Sequence, residues 1–309
     1  MSSTEATAGG ELRLRARRRR IGEDVVKGVL AVCALISVAT TVGIVVALFV
    51  PAAEFFAEIS VVDFLTGKEW APLFEPAHFG VLPLIAGTLL VTAIASAVAM
   101  PFGLGAAIYL SEYASPRTRG ILKPAFEVLA GIPTIVFGYF ALTFMTPLLR
   151  DLGIQVDIFN SLSAGLVMGV MLLPTVASLS EDAMGAVPRD LRDGAYALGS
   201  TKVQVATRIV VPAAVSGIIA SFVLAISRAV GETMIVLVAM GQQPNLTFDP
   251  REAAEAMTAF IAATGAGDVP TGSIEYKTIF AVGATLFLLT LVMNVVAIRL
   301  VRRYREVYE

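Results

Sequence analysis

Charge is scarce in this sequence. Asp, Glu, Lys and Arg supply 16% of its 309 residues against 56% apolar residues, and the mean hydropathy is +0.79. A soluble domain of this length would need more charge to coat its surface. The net charge of −2 identifies no partner, because the charges are partitioned by region. There is one cysteine, Cys33, and one histidine, His78, which excludes an internal disulfide and a Cys/His metal site. Cys33 lies in an apolar run and reads as a lipid- or helix-facing thiol, and His78 as a solvated loop imidazole. Also missing are a G-x-x-x-x-G-K-[ST] phosphate loop, a Gly-x-Ser-x-Gly or His-Glu-x-x-His motif and a pair of intramembrane aspartates. Those absences argue against an ATPase and against an intramembrane enzyme.

What is there falls into blocks long enough to cross a bilayer, which takes roughly 20 helical residues. Six stretches are nearly free of ionisable residues: 28–53, 79–111, 128–149, 158–180, 209 to about 241, and 278–298. The first starts too late and runs too long for a signal-peptide core, so it is expected to stay as a helix. With the N-terminus inside, eighteen of the 23 Lys and Arg residues fall in the tails and even-numbered loops. Four fall in the outer loops, and Arg228 lies within the fifth stretch. That excess predicts cytoplasmic termini and an even number of spans. The expected fold is all-α and integral to the membrane, with six transmembrane helices spanning residues 25–309. Its outer loops are expected at about 54–78 and 241–277. Residues 1–24 are expected to form a disordered basic cytoplasmic tail. The RARRRR run in it is read as a topology anchor facing anionic lipid rather than a nucleic-acid site.

Prolines inside the stretches (Pro83, Pro101, Pro133, Pro174) and the Gly165/Gly169 pair predict kinked, closely packed helices. The segment REAAEAMTAFIAA, apolar at Ala256, Phe260 and Ala263, suits a short amphipathic helix at the outer surface or a plain loop helix.

The longest cytoplasmic loop, about 181–212, has a helix start after Pro188, a break at Gly199 and an apolar-periodic stretch ending at Pro212. Leu191, Ala195 and Leu198 share one face of the expected helix. The loop resembles the EAA loop of ABC-importer permeases. Asp193, Gly194 and Ala195 take the EAA places, Gly199 follows after three residues, Ile209 after nine more, and Pro212 closes the motif; Asp193, Gly194 and Val211 depart from the consensus. The resemblance implies docking to a separate ATPase subunit and a type I (MetI-like) importer fold with a core of about five helices.

Arg228 and Glu232, in ISRAVGETMIVLV, are spaced i and i+4, so on a continuous helix they share a face and can pair. Charges inside a membrane face a bundle interior or a wet cavity. Two readings stay open: a structural tie between helices, or a route for an oxyanion, whose oxygens a guanidinium fork matches. Protonated phosphate could donate a hydrogen bond to Glu232, and sulfate could not. Glu127, at the head of the third stretch, is read as a helix cap or a pathway residue.

The segments FLTGKEWAP, FEVLAGIPTIVFGYFAL and SRAVGETM resemble the phosphate-specific importer permeases, nearer the PstC-type subunit than its PstA-type partner. That resemblance runs from about residue 60 to 305. It implies inward phosphate transport across a bacterial cytoplasmic membrane, with Arg228, Glu232 and Thr233 on the translocation pathway. It also implies a PstA-type second permease, two PstB-type ATPase subunits carrying ATP-Mg, and a periplasmic or lipid-anchored PstS-type phosphate-binding protein. This chain itself would hold no cofactor, metal or catalytic residue. The alternatives are an ABC permease for sulfate, molybdate or an amino acid, and a proton-coupled secondary transporter.

Overall fold

A computed structural model describes residues 21–303. The first twenty residues, with the RARRRR run, lie outside the described residues, as do 304–309. The expected tail boundary at 24 is late, because helix α1 (Ile21–Glu58) is already formed at residue 21. The chain divides into two compact units, 1–47 and 48–309. Over its described residues the first is the leading part of α1, and Cys33 there is exposed.

In the second unit, the short helix α2 (Val61–Thr66) follows α1. Trp70–Ala71 and His78–Phe79 then pair as a two-stranded antiparallel ribbon, a small departure from an all-α fold. Helix α3 (Leu82–Ile108) runs into a π-helical turn at Tyr109–Tyr113. Next come α4 (Pro116–Ala130), α5 (Thr134–Phe140) and α6 (Thr146–Asp151), the last two joined by a π turn. Helix α7 (Ser161–Gly185) precedes α8 (Arg189–Ala197), α9 (Lys202–Val205) and α10 (Val211–Ala213). Then come α11 (Val215–Val230), α12 (Met257–Gly265) and α13 (Ile274–Arg303).

Among the described residues four helices are long and apolar enough to cross a membrane: Glu23–Glu58, Leu82–Tyr113, Ser161–Gly185 and Ile274–Arg299. The count reaches six if two bent pairs are each one span. Pro116–Ala130 and Thr134–Asp151 meet at 88°, and Lys202–Ala213 and Val215–Val230 at 71°. The third and fifth predicted stretches are therefore not straight helices. Pro133 has no N–H to continue the helix and disfavours the α conformation at Ile132, so the chain turns after Gly131.

The centre of the second unit is the α3–α7 pair. A Cβ on Gly169 would lie 2.7 Å from the Cβ of Val98 and 2.9 Å from the carbonyl of Ala95. One on Gly165 would lie 2.7 Å from the Cβ of Ile94, and one on Gly103 would meet Val176. Missing side chains thus set the helix separation, as the GxxxG spacing predicted. The contacts advance in step along both helices, so α3 and α7 run parallel. Met168, Met171 and Leu172 of α7 form a core with Val91 and Ala95 of α3, Ala225 and Ala229 of α11, and Ile235–Met240.

Candidate translocation and coupling sites

The fifth apolar stretch breaks where its charges sit. Helix α11 ends at Val230, Gly231 caps it, and a second helical segment begins at Met234. Glu232 lies in the gap, and its carboxylate accepts hydrogen bonds from the N–H groups of Met234 at 3.1 Å and Ile235 at 3.4 Å. It therefore caps the second segment, whose first N–H groups have no carbonyl one turn back. Its own carbonyl accepts from the Thr258 hydroxyl of α12 at 2.6 Å. The expected pairing of Arg228 with Glu232 is not formed. The helix stops between them, and the buried carboxylate is already seated on backbone donors. Arg228 is exposed and donates through Nη1 to the Thr175 hydroxyl of α7 at 3.3 Å. Thr233 is half-buried, its hydroxyl 3.4 Å from the Gly231 carbonyl. A guanidinium carries five donors, so Arg228 can hold an anion beside the break without leaving Thr175.

Helix α12 is not a surface amphipath. Ala256, Met257, Thr258, Ala259 and Phe260 are all buried, and the Met257 N–H is seated on the Thr88 hydroxyl of α3 at 3.0 Å. Glu255, just ahead of it, is buried too, and among the described residues its carboxyl has no hydrogen-bond or ionic partner. Burial pushes that carboxyl up to about 7. On the nearby exposed loop, Arg251 forks onto Asp249 at 2.6–3.1 Å and holds its carboxyl down at about 2.

The loop at 181–212 folds as a helix, a sharp turn and a second helical stretch. Gly199 makes the turn at φ +80°, where a side chain would strain the backbone. The Thr201 hydroxyl and Gln204 side chain form a reciprocal capping box at the start of α9. Asp193 and Gly194 are exposed and Pro212 is exposed. Ala195 is buried against Ala107, Met184, Val205 and Val210, and Ile209 packs on the same cluster. Leu198, expected on the face of Leu191 and Ala195, is 89% exposed because α8 ends at Ala197 and the chain leaves the helix there. Leu191, Tyr196 and Leu198 thus add exposed apolar surface beside Asp193.

Glu127 is not at a helix head. It stands in the last turns of α4, exposed, in a cleft with Arg119, Lys123 and Pro124. His78 of the ribbon lies 3.6 Å from Glu69, and both side chains are exposed.

Sequence reasoning passed over two charged joints. Glu181, 3% exposed in α7, meets Arg119 at 2.6 Å and Lys123 at 2.7 Å from α4. Arg192 of α8 meets Glu112 at 3.1 Å. Arg119, Lys123 and Arg192 enter the sequence reading only as basic residues of the cytoplasmic loops, and Glu112 does not enter it at all. The available cue was Glu181 itself, an acid directly following an apolar run.

Residues 99–306 match the family model for binding-protein-dependent transport system inner membrane components. The match takes in the coupling-type loop and the broken fifth stretch. The chain belongs to that family. It is a multi-pass permease of the ABC-importer class, seated in the inner membrane, with a MetI-like type I importer fold. It is 34% identical over 294 residues to a probable ABC transporter permease, YqgH, of Bacillus subtilis, covering 94% of each chain. It is 32% identical over 257 residues to the phosphate transport system permease PstC of Mesorhizobium japonicum, covering 76% of each. A crystal structure of a bacterial ABC transporter that imports the acidic polysaccharide alginate has the same fold. That match has a TM-score of 0.63 at 17% identity, over 93% of this permease and 100% of that chain.

Proposed function

We propose that this permease is the PstC-type subunit of an ATP-driven phosphate importer, forming half of the translocation pathway. The observation that carries the substrate is the 32% identity to PstC over three quarters of the chain. The geometry adds an exposed guanidinium beside a helix break inside the membrane-spanning core, which suits a multivalent oxyanion. Here Arg228 binds the anion in passing, Thr233 offers a hydroxyl at the break, and Glu232 holds the break open by capping the segment beyond it. ATP is hydrolysed by separate PstB-type subunits that engage the loop at Asp193, Gly194, Ala195, Gly199, Ile209 and Pro212. A PstA-type permease completes the pathway, and a PstS-type protein delivers phosphate. The 18-to-4 distribution of basic residues favours six spans with both termini cytoplasmic. The parallel run of α3 and α7 supports a crossing by the bent α4–α6 segment between them.

The test is ATP-dependent uptake of labelled phosphate into proteoliposomes holding the full complex and its binding protein. Uptake should resist excess sulfate and fall at least about a hundredfold in Arg228→Gln, a loss of roughly 3 kcal/mol for one charge-assisted contact. Normal uptake in that variant would reduce Arg228 to a tie onto Thr175. An intact, ATP-hydrolysing complex that moves no phosphate would point to another substrate.

A further inference from the structure

Arg192 sits one residue before Asp193 yet points away from the exposed face of the loop. Its side chain is only 16% exposed, and its partner Glu112 is 6% exposed. The guanidinium does two things at once. Nη1 donates to the Val187 carbonyl at 2.6 Å and Nη2 to the Met184 carbonyl at 2.8 Å, closing the C-terminal end of α7. Nη2 and Nε also reach Glu112 Oε1, at 3.1 and 3.4 Å, in the π turn that ends α3. The Ser111 hydroxyl donates to the same carboxylate oxygen at 2.9 Å. One side chain of α8 therefore grips the ends of both α3 and α7.

Those two helices are the pair that glycines hold in close contact, so they are built to shift together. Helix α7 also carries Thr175, the hydroxyl on which Arg228 rests. A displacement of α8 is thus led through Arg192 into α7, and along α7 to the residue beside the break. We propose that Arg192, with Glu112, is the joint that passes movement of the coupling loop to the α3–α7 pair. Both act as positioning residues, and neither touches the ATPase nor the substrate. The proposal rests on the loop being the ATPase dock.

A merely structural pair would lower thermal stability and leave signalling alone. A joint would, besides any stability lost by stranding Glu112, uncouple the two faces while assembly persists. The measurement is stimulation of ATP hydrolysis in the reconstituted complex by its cognate binding protein, used as purified with its own bound ligand. Arg192→Gln should keep the ATPase subunits bound and basal hydrolysis unchanged, while stimulation falls about tenfold. Glu112→Gln should lower it about threefold, and the double variant should be no worse than Arg192→Gln, since both break one link. Unchanged stimulation in both single variants, or additive losses in the double variant, would overturn the joint. So would loss of the ATPase subunits from Arg192→Gln with normal stimulation in Glu112→Gln, which would make Arg192 a docking contact. An intact complex that is stimulated but takes up no labelled phosphate would fail the substrate reading alone, and the joint would still be read from the stimulation.

Discussion

The two ends of the α3–α7 pair are held by different forces. At the end near the coupling loop the ties are ionic: Glu181 between Arg119 and Lys123, and Arg192 on Glu112. At the other end they are backbone and aromatic. The N–H groups of Asn160, Ser161 and Leu162, where α7 begins, are taken by the carbonyls of Ala239, Glu252 and Pro250 at 2.7–3.2 Å. The Asn160 side chain accepts from Ser163 N–H at 2.7 Å. Close by, Phe55, Phe56, Phe64, Phe79, Trp70 and Phe260 meet edge to face, with centroids 4.9–6.1 Å apart. Packed rings and seated backbone groups have one good arrangement, so that end is a fixed frame. A charged joint whose cations are partly wet can be loosened and remade, which suits the end we assign to ATPase docking.

The sharpest contrast comes from removing one group at each end. Phe55 is fully buried and makes three of the ring contacts, so Phe55→Ala should cost about 3–5 kcal/mol, most of it a cavity that rigid neighbours cannot fill. The melting temperature of the purified complex should fall by the same amount at low and high salt. A salt-dependent loss would break the comparison. At the ionic end the result depends on which partner goes. Arg119→Ala with Lys123→Ala strands a carboxylate that is 3% exposed, at a cost of about 3 kcal/mol. Glu181→Gln strands two cations that are 42% and 39% exposed and can turn to water, at a cost under about 1 kcal/mol. Equal losses from the two changes would mean that Glu181 is wetter than its packing indicates.

Much of the frame was legible in the sequence because hydropathy and glycine spacing act locally. The unbroken spans at α3, α7 and α13 fall close to the predicted stretches, and Gly165 and Gly169 do pack against α3. The Asp193–Pro212 spacing does describe a helix, a turn at Gly199 and a second helical stretch. What periodicity missed are the breaks and the long-range partners. An i, i+4 pair presumes an unbroken helix, and Gly231 ends it between Arg228 and Glu232. Pro133 bends the third stretch, so Glu127 falls near the end of α4 rather than at the head of a straight helix. The Arg192–Glu112 contact spans 80 residues of sequence, and nothing local to either residue announces it. The burial of α12 was hidden too, because Thr258 and Met257 look ordinary until Glu232 and Thr88 meet them.

Glu255 stands on the fixed side of the comparison yet lacks the partners that define it, so it should be that side's one pH-sensitive point. Its neighbours in the chain are Ala253, Ala254 and Ala256, all buried, and no described cation pairs with it. Burial raises the carboxyl from 4.5 to about 7, so the folded protein binds a proton there that the unfolded chain has released. Between those two values the folded state holds more protons, and stability must therefore fall as pH rises. The contribution is fully present below about 4.5 and is lost as pH rises through about 7. Above that, the folded protein carries a buried, uncompensated carboxylate. Glu255→Gln removes the charge but leaves a buried amide still short of partners, so the gain at pH 8 should be modest, about 1–2 kcal/mol. At pH 5 the variant and the intact protein should melt together. Melting curves of the complex at the two pH values decide the matter. An equal shift at both, or none at pH 8, would mean that Glu255 finds water or a cation when the full assembly forms, and that this end of the pair is ionic after all.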